Sequence, residues 1–261
     1  MLTNLLITLG KKALSLWYFL GGLTNLAWQS FYWVFVSPLK KDRIFEQAKK
    51  AGLDSLPIVS LLALFIGIIM ALQTAVQMQR LGSEMYIASI VSLSLVRELG
   101  PVITALVVAG RVGAAIAAEI GSMQVTEQVD ALETLATNPI RYLVVPRLLA
   151  LSLTLPILTL YADIIGIFGG YLICVYKLGI SSSMYLHITF DALLFKDLFS
   201  GLLKTIFFGM IIAFVSCYEG FNVEGGAEGV GRATMRAVVS AFILIITADC
   251  FFTAVFYFIF P

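Results

Sequence analysis

The chain has 261 residues, of which 60% are hydrophobic and 13% are charged, and its mean hydropathy is +0.96. A soluble globular domain has roughly 45–50% apolar and about 25% charged residues, so this composition excludes a soluble enzyme domain, a disordered chain and a coiled coil. The net charge of +1 gives no reason to expect a nucleic-acid partner, and one histidine with three scattered cysteines gives no metal-ligand, redox or disulfide spacing.

The N-terminal segment, residues 1–50, is predicted to be an interfacial or elbow segment. Residues 13–39 contain no charge and are long enough to span a bilayer, but all three tryptophans of the chain fall there. Tryptophan and tyrosine prefer the headgroup level of a membrane. A helix lying in the interface is therefore favoured over a sixth span.

Five later stretches are apolar and long enough to cross a bilayer, which takes about 20 residues. Their predicted ranges are 55–79, 85–118, 142–176, 198–218 and 237–260. The predicted fold class is an all-α membrane protein with one domain over residues 1–261 and no internal repeat.

Positive charges predict the orientation, since lysine and arginine are enriched in cytoplasmic loops. Seven of the 17 Lys and Arg residues precede the first span. With the N-terminus in the cytoplasm, eleven fall on the cytoplasmic side and three on the opposite side. The C-terminus is then expected outside, as five spans require.

Between the second and third spans, residues 124–137 are predicted to form a short acidic amphipathic helix that ends before Pro139. Its apolar residues recur at the spacing of one helical face, at Val125, Val129, Leu132 and Leu135. This helix is either a surface link between two spans or a docking element for another protein. Docking is favoured by the acidic charge of the helix, because an anionic leaflet attracts lysine and arginine instead. It is also favoured by the length of the helix, because a helix this short gains stability in a partner groove.

Small residues form two stripes near the end of the second span. Four of them are candidates for close helix packing: Gly110, Gly113, Ala114 and Ala117. A further GxxxG pair, Gly166 and Gly170, lies in the third span. Small stripes let helix backbones approach closely, either within one chain or at a homodimer seam.

Ionisable residues at membrane depth cost a few kcal/mol each on insertion scales and are functional candidates by default. The sequence has six, namely Arg97, Glu98, Arg111, Asp163, Lys204 and Asp249. Pro101 leaves the carbonyl of Arg97 without its usual helix donor, which predicts a local bend. The charges are either buried ion pairs that hold the bundle together or polar groups in a cavity for an amphiphile, to which Gln73 adds polarity.

The sequence has no HExxH, GxSxG or P-loop signature, so the chain is not predicted to be an enzyme. Energy for transport would then come from another subunit or from an ion gradient. An ion-gradient-driven carrier or channel, with Asp163, Asp249, Lys204 and Glu98 as a relay, is one alternative to an ATP-driven permease. A membrane scaffold without transport is another.

Residues 95–150 contain the motifs RELGP, AGRVG, AAEIG, TEQVDAL and NPIRYLVVPR. Together these motifs resemble the MlaE permease family, the membrane subunits of ABC transporters that work with MCE proteins, and the resemblance covers almost the whole chain. It implies a homodimeric permease in a bacterial inner membrane, with its C-terminus in the periplasm. The implied function is phospholipid transport between that membrane and a ring of MCE-domain proteins, for the lipid homeostasis and asymmetry of the outer membrane.

The resemblance also implies roles for individual residues. A cytoplasmic ABC ATPase would bind the coupling helix at Thr126, Glu127, Asp130, Ala131, Leu132 and Leu135. The implied lipid pathway contains Gln73, Arg97, Glu98, Lys204, Arg236 and Asp249. No cofactor is expected on this chain, because the partner ATPase would use ATP and Mg, and a STAS-domain subunit is a further candidate partner.

Overall fold

A computed structural model describes residues 2–36 and 40–259 of the chain. It is 91% helical and has no strand in these residues, which confirms the predicted all-α fold class. The α-helices are α1 (Leu2–Val36), α2 (Lys41–Gly52), α3 (Leu56–Arg80), α4 (Ile87–Ser94), α5 (Gly100–Val108), α6 (Ala114–Val125), α7 (Gln128–Thr134), α8 (Val145–Tyr176), α9 (Ser182–Ala192), α10 (Phe195–Phe221) and α11 (Gly226–Ile259).

Five helical stretches in the described residues are long and apolar enough to cross a membrane, as the sequence predicts. They are Lys41–Arg80, Glu84–Val125, Ile140–Tyr176, Phe195–Phe221 and Gly226–Phe258. The first four enclose the predicted ranges, and the fifth begins well before residue 237, while residue 260 lies outside the described residues. Successive stretches alternate in direction, so α7 lies at one end of the bundle and α9 at the other; we call these the α7 end and the α9 end.

Helix α1 is not among the five stretches and crosses the α7 end of the bundle. The ring of Phe19 packs on Tyr218 and that of Phe31 on Phe214, with centroids 5.4 and 6.0 Å apart. These contacts are separated by about 18 Å along α1 but only about 6 Å along α10, at 1.5 Å per residue. The two helices therefore cross steeply, as expected of an interfacial helix. Residues 37–39 of the predicted segment lie outside the described residues.

Helices α3 and α8 pack closely through glycines. A Cβ atom on Gly67 would lie 1.9 Å from the carbonyl oxygen of Gly166, far inside any permitted contact. A Cβ on Gly170 would lie 2.9 Å from the hydroxyl of Tyr185. The GxxxG pair of the third span is thus used for packing within one chain, where short backbone distances increase dispersion contact.

The small-residue stripe of the second span is also used largely within the chain. A Cβ on Gly113 would lie 2.9 Å from the Ser216 hydroxyl on α10, and Ala117 is fully buried beside Gly220 of the same helix. Helix α10 of the same chain covers both residues, which is the first of the two predicted alternatives, packing within one chain. Only Gly110 and Ala114 of the predicted set remain accessible.

The predicted helix over residues 124–137 is not one helix. Helix α6 continues to Val125, Glu127 adopts a left-handed conformation with φ of 57°, and α7 then covers only Gln128–Thr134. The predicted single apolar face is also wrong: Val129 is buried and Leu132 half-buried, but Val125 and Leu135 are exposed. The turn between α6 and α7 breaks the helical period and separates Val125 from the face of α7, and Leu135 lies one residue past the end of α7.

Helix α9 closes the opposite end of the bundle. The Ser181 hydroxyl accepts a hydrogen bond from the backbone N–H of Met184, which caps the helix. Tyr185 is fully buried and donates to the carbonyl of Ile167 on α8 at 3.1 Å. Burial raises the pKa of Tyr185, so its hydroxyl remains a donor.

Candidate functional site: a buried charge cluster

Lys204 is the centre of a charge cluster inside the bundle. Its side chain, on α10, is only 2% exposed. The ammonium donates to Glu98 Oε2 at 2.7 Å and to Asp249 Oδ1 at 3.0 Å. A charge inside an apolar bundle is tolerated only when it is paired, and here two carboxylates from two other spans pair with it.

A π-helical segment at Leu95–Leu99 presents the first of these carboxylates, Glu98. It lies where the sequence predicts a bend before Pro101, which has no N–H to donate to the carbonyl of Arg97. The ammonium of Lys204 lies 3.3 Å from that carbonyl oxygen and donates to it. Lys204 therefore satisfies a backbone acceptor that proline leaves without a helical partner.

Thr253 completes the cluster from α11. Its hydroxyl accepts from Lys204 at 2.7 Å and donates to Glu98 Oε1 at 2.9 Å. One hydroxyl can donate once and accept twice, so both bonds of Thr253 are compatible. Lys204 has three N–H groups for four acceptors, so the longest of its bonds, at 3.3 Å to the carbonyl of Arg97, shares a donor with another acceptor. Thr253 was not predicted, although it lies four residues after Asp249 and hence on the same helical face.

Asp197 forms a second ion pair beside the first. Arg97 Nε donates to Asp197 Oδ1 at 2.7 Å, and the other carboxylate oxygen accepts the backbone N–H of Leu194 at 3.0 Å. Asp197 is therefore both a helix cap for α10 and the partner of Arg97. It was not predicted, although an acidic residue in the first turn of a helix is a recognisable capping signal.

The cluster borders a cavity of 140 Å³ between α10 and α11. Arg97, Glu98, Lys204 and Thr253 line its polar side, and Phe256 and Tyr257 line its aromatic side. The side chain of Glu98 is 38% exposed and that of Arg97 is 48% exposed, so polar groups of the cluster can be reached from the cavity.

Comparison with known proteins identifies the family. The model of the family described as Permease MlaE matches residues 44–255. The chain belongs to the MlaE permease family. A probable ABC transporter permease protein of Rickettsia felis is 46% identical over 98% of this chain and 99% of its own length. The intermembrane phospholipid transport system permease protein MlaE of Haemophilus influenzae is 33% identical over 98% of both chains.

A plant protein is also similar. The chloroplast protein TRIGALACTOSYLDIACYLGLYCEROL 1 of Arabidopsis thaliana is 39% identical over 81% of this chain and 61% of its own length. The family resemblance predicted from the motifs is thus confirmed. The chain is a multi-pass membrane subunit of an ABC transporter.

Two residues predicted for the lipid pathway lie outside the charge cluster. Arg236 donates to Glu219 at 2.8 Å near the α7 end, and it is about 20 Å along α11 from Asp249 at 1.5 Å per residue. Gln73 is exposed on α3, which packs mainly against α8. The structure therefore brings together Arg97, Glu98, Lys204 and Asp249, but neither Arg236 nor Gln73.

Asp163 is separate from the cluster. It is buried in α8, and its Oδ1 has no hydrogen-bond partner among the described residues. A Cβ on Gly100 would lie 1.8 Å from that oxygen, so the carboxyl group occupies the space that glycine leaves open. In the described part of the chain, no ion pair connects Asp163 to Lys204, and a continuous relay through both is not formed.

Arg111 and Arg147 join the spans near the α7 end. Arg111 donates to the carbonyl of Lys50 at 2.6 Å and to the Ser55 hydroxyl at 3.1 Å, at the junction of α2 and α3. Arg147 is buried and pairs with Glu119 at 2.9 Å, which connects α8 to α6 close to α7. Their contacts give both arginines a structural role.

Proposed function

We propose that this chain is the permease of an ABC transporter that moves phospholipid between a bacterial inner membrane and a ring of MCE-domain proteins, for outer-membrane lipid homeostasis. The main support for this proposal is the cavity beside Lys204, which combines cationic groups with an aromatic wall. The name of the Haemophilus influenzae relative supports the substrate class.

The chemistry of the cavity suits an amphiphile with an anionic headgroup. Arg97 pairs with Asp197 through Nε and Nη2, and the Nη1 side of its half-exposed guanidinium can still donate to a phosphate. The exposed Lys196 offers a second donor on the same cavity wall. Phe256 and Tyr257 offer apolar surface next to them. Ligand sites commonly combine an apolar lining with a few polar groups that fix the orientation.

A homodimer would complete the lipid site. A cavity of 140 Å³ holds a headgroup but not two acyl chains, since pockets for drug-sized ligands are roughly 300–1,000 Å³. Only 11% of the apolar window of α11 is buried, and large apolar side chains such as Phe251 and Phe258 are exposed on it. We propose that α11 and its counterpart in a second copy enclose the acyl chains, with Gly110 and Ala114 near the contact.

Energy would come from a cytoplasmic ABC ATPase that uses ATP and Mg. Its proposed docking element is α7 with its flanking turns, which carries the predicted contact residues Thr126, Glu127, Asp130, Ala131, Leu132 and Leu135. Leu135 is 75% exposed and offers the largest apolar surface there. The turn from α6 into α7 and the Arg147–Glu119 pair give a direct mechanical connection from the docking element to two spans.

The proposed topology has the α7 end in the cytoplasm and the α9 end in the periplasm, with the N-terminus inside and the C-terminus outside. This orientation places the lysine- and arginine-rich start of α2 on the cytoplasmic side, as the charge bias of membrane proteins requires. It also places the cavity beside Lys204 toward the periplasmic half, where an MCE ring would receive lipid. A STAS-domain subunit on the ATPase is a further proposed partner.

Mass spectrometry of the complex purified in mild detergent from the native host tests the proposal. We expect an ABC ATPase, an MCE-domain protein and retained phospholipid to purify with the tagged chain. If the chain purifies without any ATPase, under conditions that preserve other membrane complexes, the ATP-driven mechanism is wrong. Transport would then need an ion gradient.

A further inference from the structure

A second cavity, of 210 Å³, lies at the α7 end of the bundle, where α1, the start of α2 and the start of the third span meet. Five side chains on its wall define what we call the basic pocket: Trp33, Lys40, Arg43, Arg141 and Tyr142. The loop after α7 contributes Ala136, Thr137 and Asn138 to the same wall.

Three cations converge on the basic pocket without a carboxylate partner. Among residues 2–36 and 40–259, no Asp or Glu lies within ion-pair distance of Lys40, Arg43 or Arg141. Glu46, one helical turn after Arg43, pairs with Lys50 at 2.8 Å instead. Like charges brought together at a protein surface repel one another, so an anion bound in the pocket would reduce the repulsion among the three cations.

Aromatic rings hold these cations in place. The Arg43 guanidinium carbon lies 3.5 Å from the centroid of the Tyr142 ring, and the Lys40 ammonium lies 5.8 Å from the same centroid. The Arg141 guanidinium carbon lies 5.7 Å from the Trp33 ring. Stacking on a ring leaves the N–H groups at the edge of a guanidinium free to donate to another group.

The backbone does not supply the missing anion contacts. Asn138 Oδ1 accepts the N–H groups of Ile140 and Arg141, at 3.0 and 3.1 Å, so these donors at the start of the helix are already used. An anion in the pocket would therefore be bound by the three cationic side chains, which can reach phosphate oxygens from several directions.

We propose that the basic pocket binds the phosphate of an anionic phospholipid headgroup, such as that of phosphatidylglycerol, as a fixed lipid distinct from the transported one. A membrane lipid is favoured over free phosphate because Trp33 and Tyr142 are residue types that settle at the headgroup level, and α1 lies across this end of the bundle. Basic pockets between membrane helices on the cytoplasmic side take such headgroups.

The bound headgroup would connect the interfacial helix to the docking element. Trp33 belongs to α1, Arg43 to α2, and Thr137 to the loop that directly follows α7. A phosphate bridging these elements would restrain the position of α7. The assignment to the cytoplasmic leaflet rests on the proposed orientation, whereas headgroup binding itself depends on neither the ATPase nor the MCE partner.

Native mass spectrometry of the full chain in detergent, titrated with dioctanoyl-phosphatidylglycerol, tests the pocket. The variant carries Arg43→Gln with Arg141→Gln, and the matched control is Lys49→Gln, which removes one charge from the exposed side of α2 outside the pocket. We expect more than about tenfold weaker binding for the double variant, unchanged binding for the control, and retained binding for Arg43→Lys with Arg141→Lys.

Several results would overturn the assignment. If the double variant and the wild type bound dioctanoyl-phosphatidylglycerol with equal affinity, the basic pocket would not be the binding site. If the wild type bound dioctanoyl-phosphatidylcholine equally well, binding would not require an anionic headgroup. Competition by inorganic phosphate at equal concentration would identify a free-phosphate site instead. Loss of a co-purified ATPase with lipid binding intact would identify a protein-docking surface.

Folding of the double variant is checked by its melting temperature. If it does not fold, the single exposed substitution Lys40→Gln replaces it, with an expected loss of about fivefold in phosphatidylglycerol affinity. An unchanged affinity of Lys40→Gln would also overturn the proposal. Because lipid transfer is not part of this measurement, failure of the pocket and failure of the proposed transport function are separate results.

Discussion

The ammonium of Lys204 donates to the backbone carbonyl of Arg97 across 3.3 Å, at the point where Pro101 removes the helical donor. The same ammonium pairs with Glu98 and Asp249. One buried side chain thus donates to a free carbonyl in the second span and pairs with carboxylates from two spans. The functional cluster and the stability of the bundle consequently depend on the same residue.

Lys204→Met should destabilise the protein by about 3–5 kcal/mol, because it leaves two carboxylates and a carbonyl without their cation. The melting temperature in detergent measures this loss. Adding Glu98→Gln and Asp249→Asn to Lys204→Met should restore part of the stability, since no unpaired charge then remains. A single Lys204→Met variant as stable as the wild type would contradict the structural role.

Glu98→Gln should lower phospholipid delivery severalfold while the complex stays assembled. The amide still accepts a hydrogen bond from Lys204 or Thr253, and replacing a charged with a neutral hydrogen bond costs about 1–2 kcal/mol. Lipid transfer in reconstituted vesicles measures delivery, and size-exclusion chromatography measures assembly. Loss of assembly instead would make Glu98 a purely structural residue.

Gly100→Ala should destabilise the protein, because its Cβ would lie 1.8 Å from Asp163 Oδ1. Asp163→Asn should leave stability unchanged or raise it, since a buried carboxyl without a partner contributes no stability. Combining Gly100→Ala with Asp163→Ala should recover most of the loss, which a double-mutant cycle of melting temperatures measures. If a stable Asp163→Asn variant lost all transport, the ion-driven alternative would be favoured.

Gly67→Ala should cost about 1–3 kcal/mol through overpacking of α3 against α8, because the backbone oxygen of Gly166 cannot move away easily. Gly231→Ala on α11 is the matched control, since open space surrounds its Cβ position. The control should be neutral or stabilising by about 1 kcal/mol. Equal melting temperatures for the two variants would show that α3 and α8 do not pack as described.

Leu135→Asp should abolish co-purification of the ATPase without changing the stability of the permease, since Leu135 is exposed. Leu132→Asp should reduce both ATPase co-purification and permease stability, because Leu132 is half-buried. Leu81→Asp, an exposed leucine near the α9 end, should change neither. ATPase retained by Leu135→Asp would remove α7 and its flanking turns from the proposed interface.

The sequence by itself determined the number of spans, because each needs a long apolar stretch that no distant contact can create or remove. It also determined that the Arg97 carbonyl loses its helical donor, since this depends only on the distance in sequence to Pro101. The family followed from the motifs of residues 95–150 in the same way, without any knowledge of which helices touch.

Only the tertiary structure decided which intramembrane charges meet. Lys204 is 106 residues from Glu98 and 45 from Asp249, and their pairing depends on the depth and rotation of three separate helices. Helix depth and rotation also keep Asp163 away from Lys204 and place Gly113 against α10. Helical periodicity assigns a residue to a face of its own helix but does not identify the helix that covers this face, so the partners become known only when the bundle is packed.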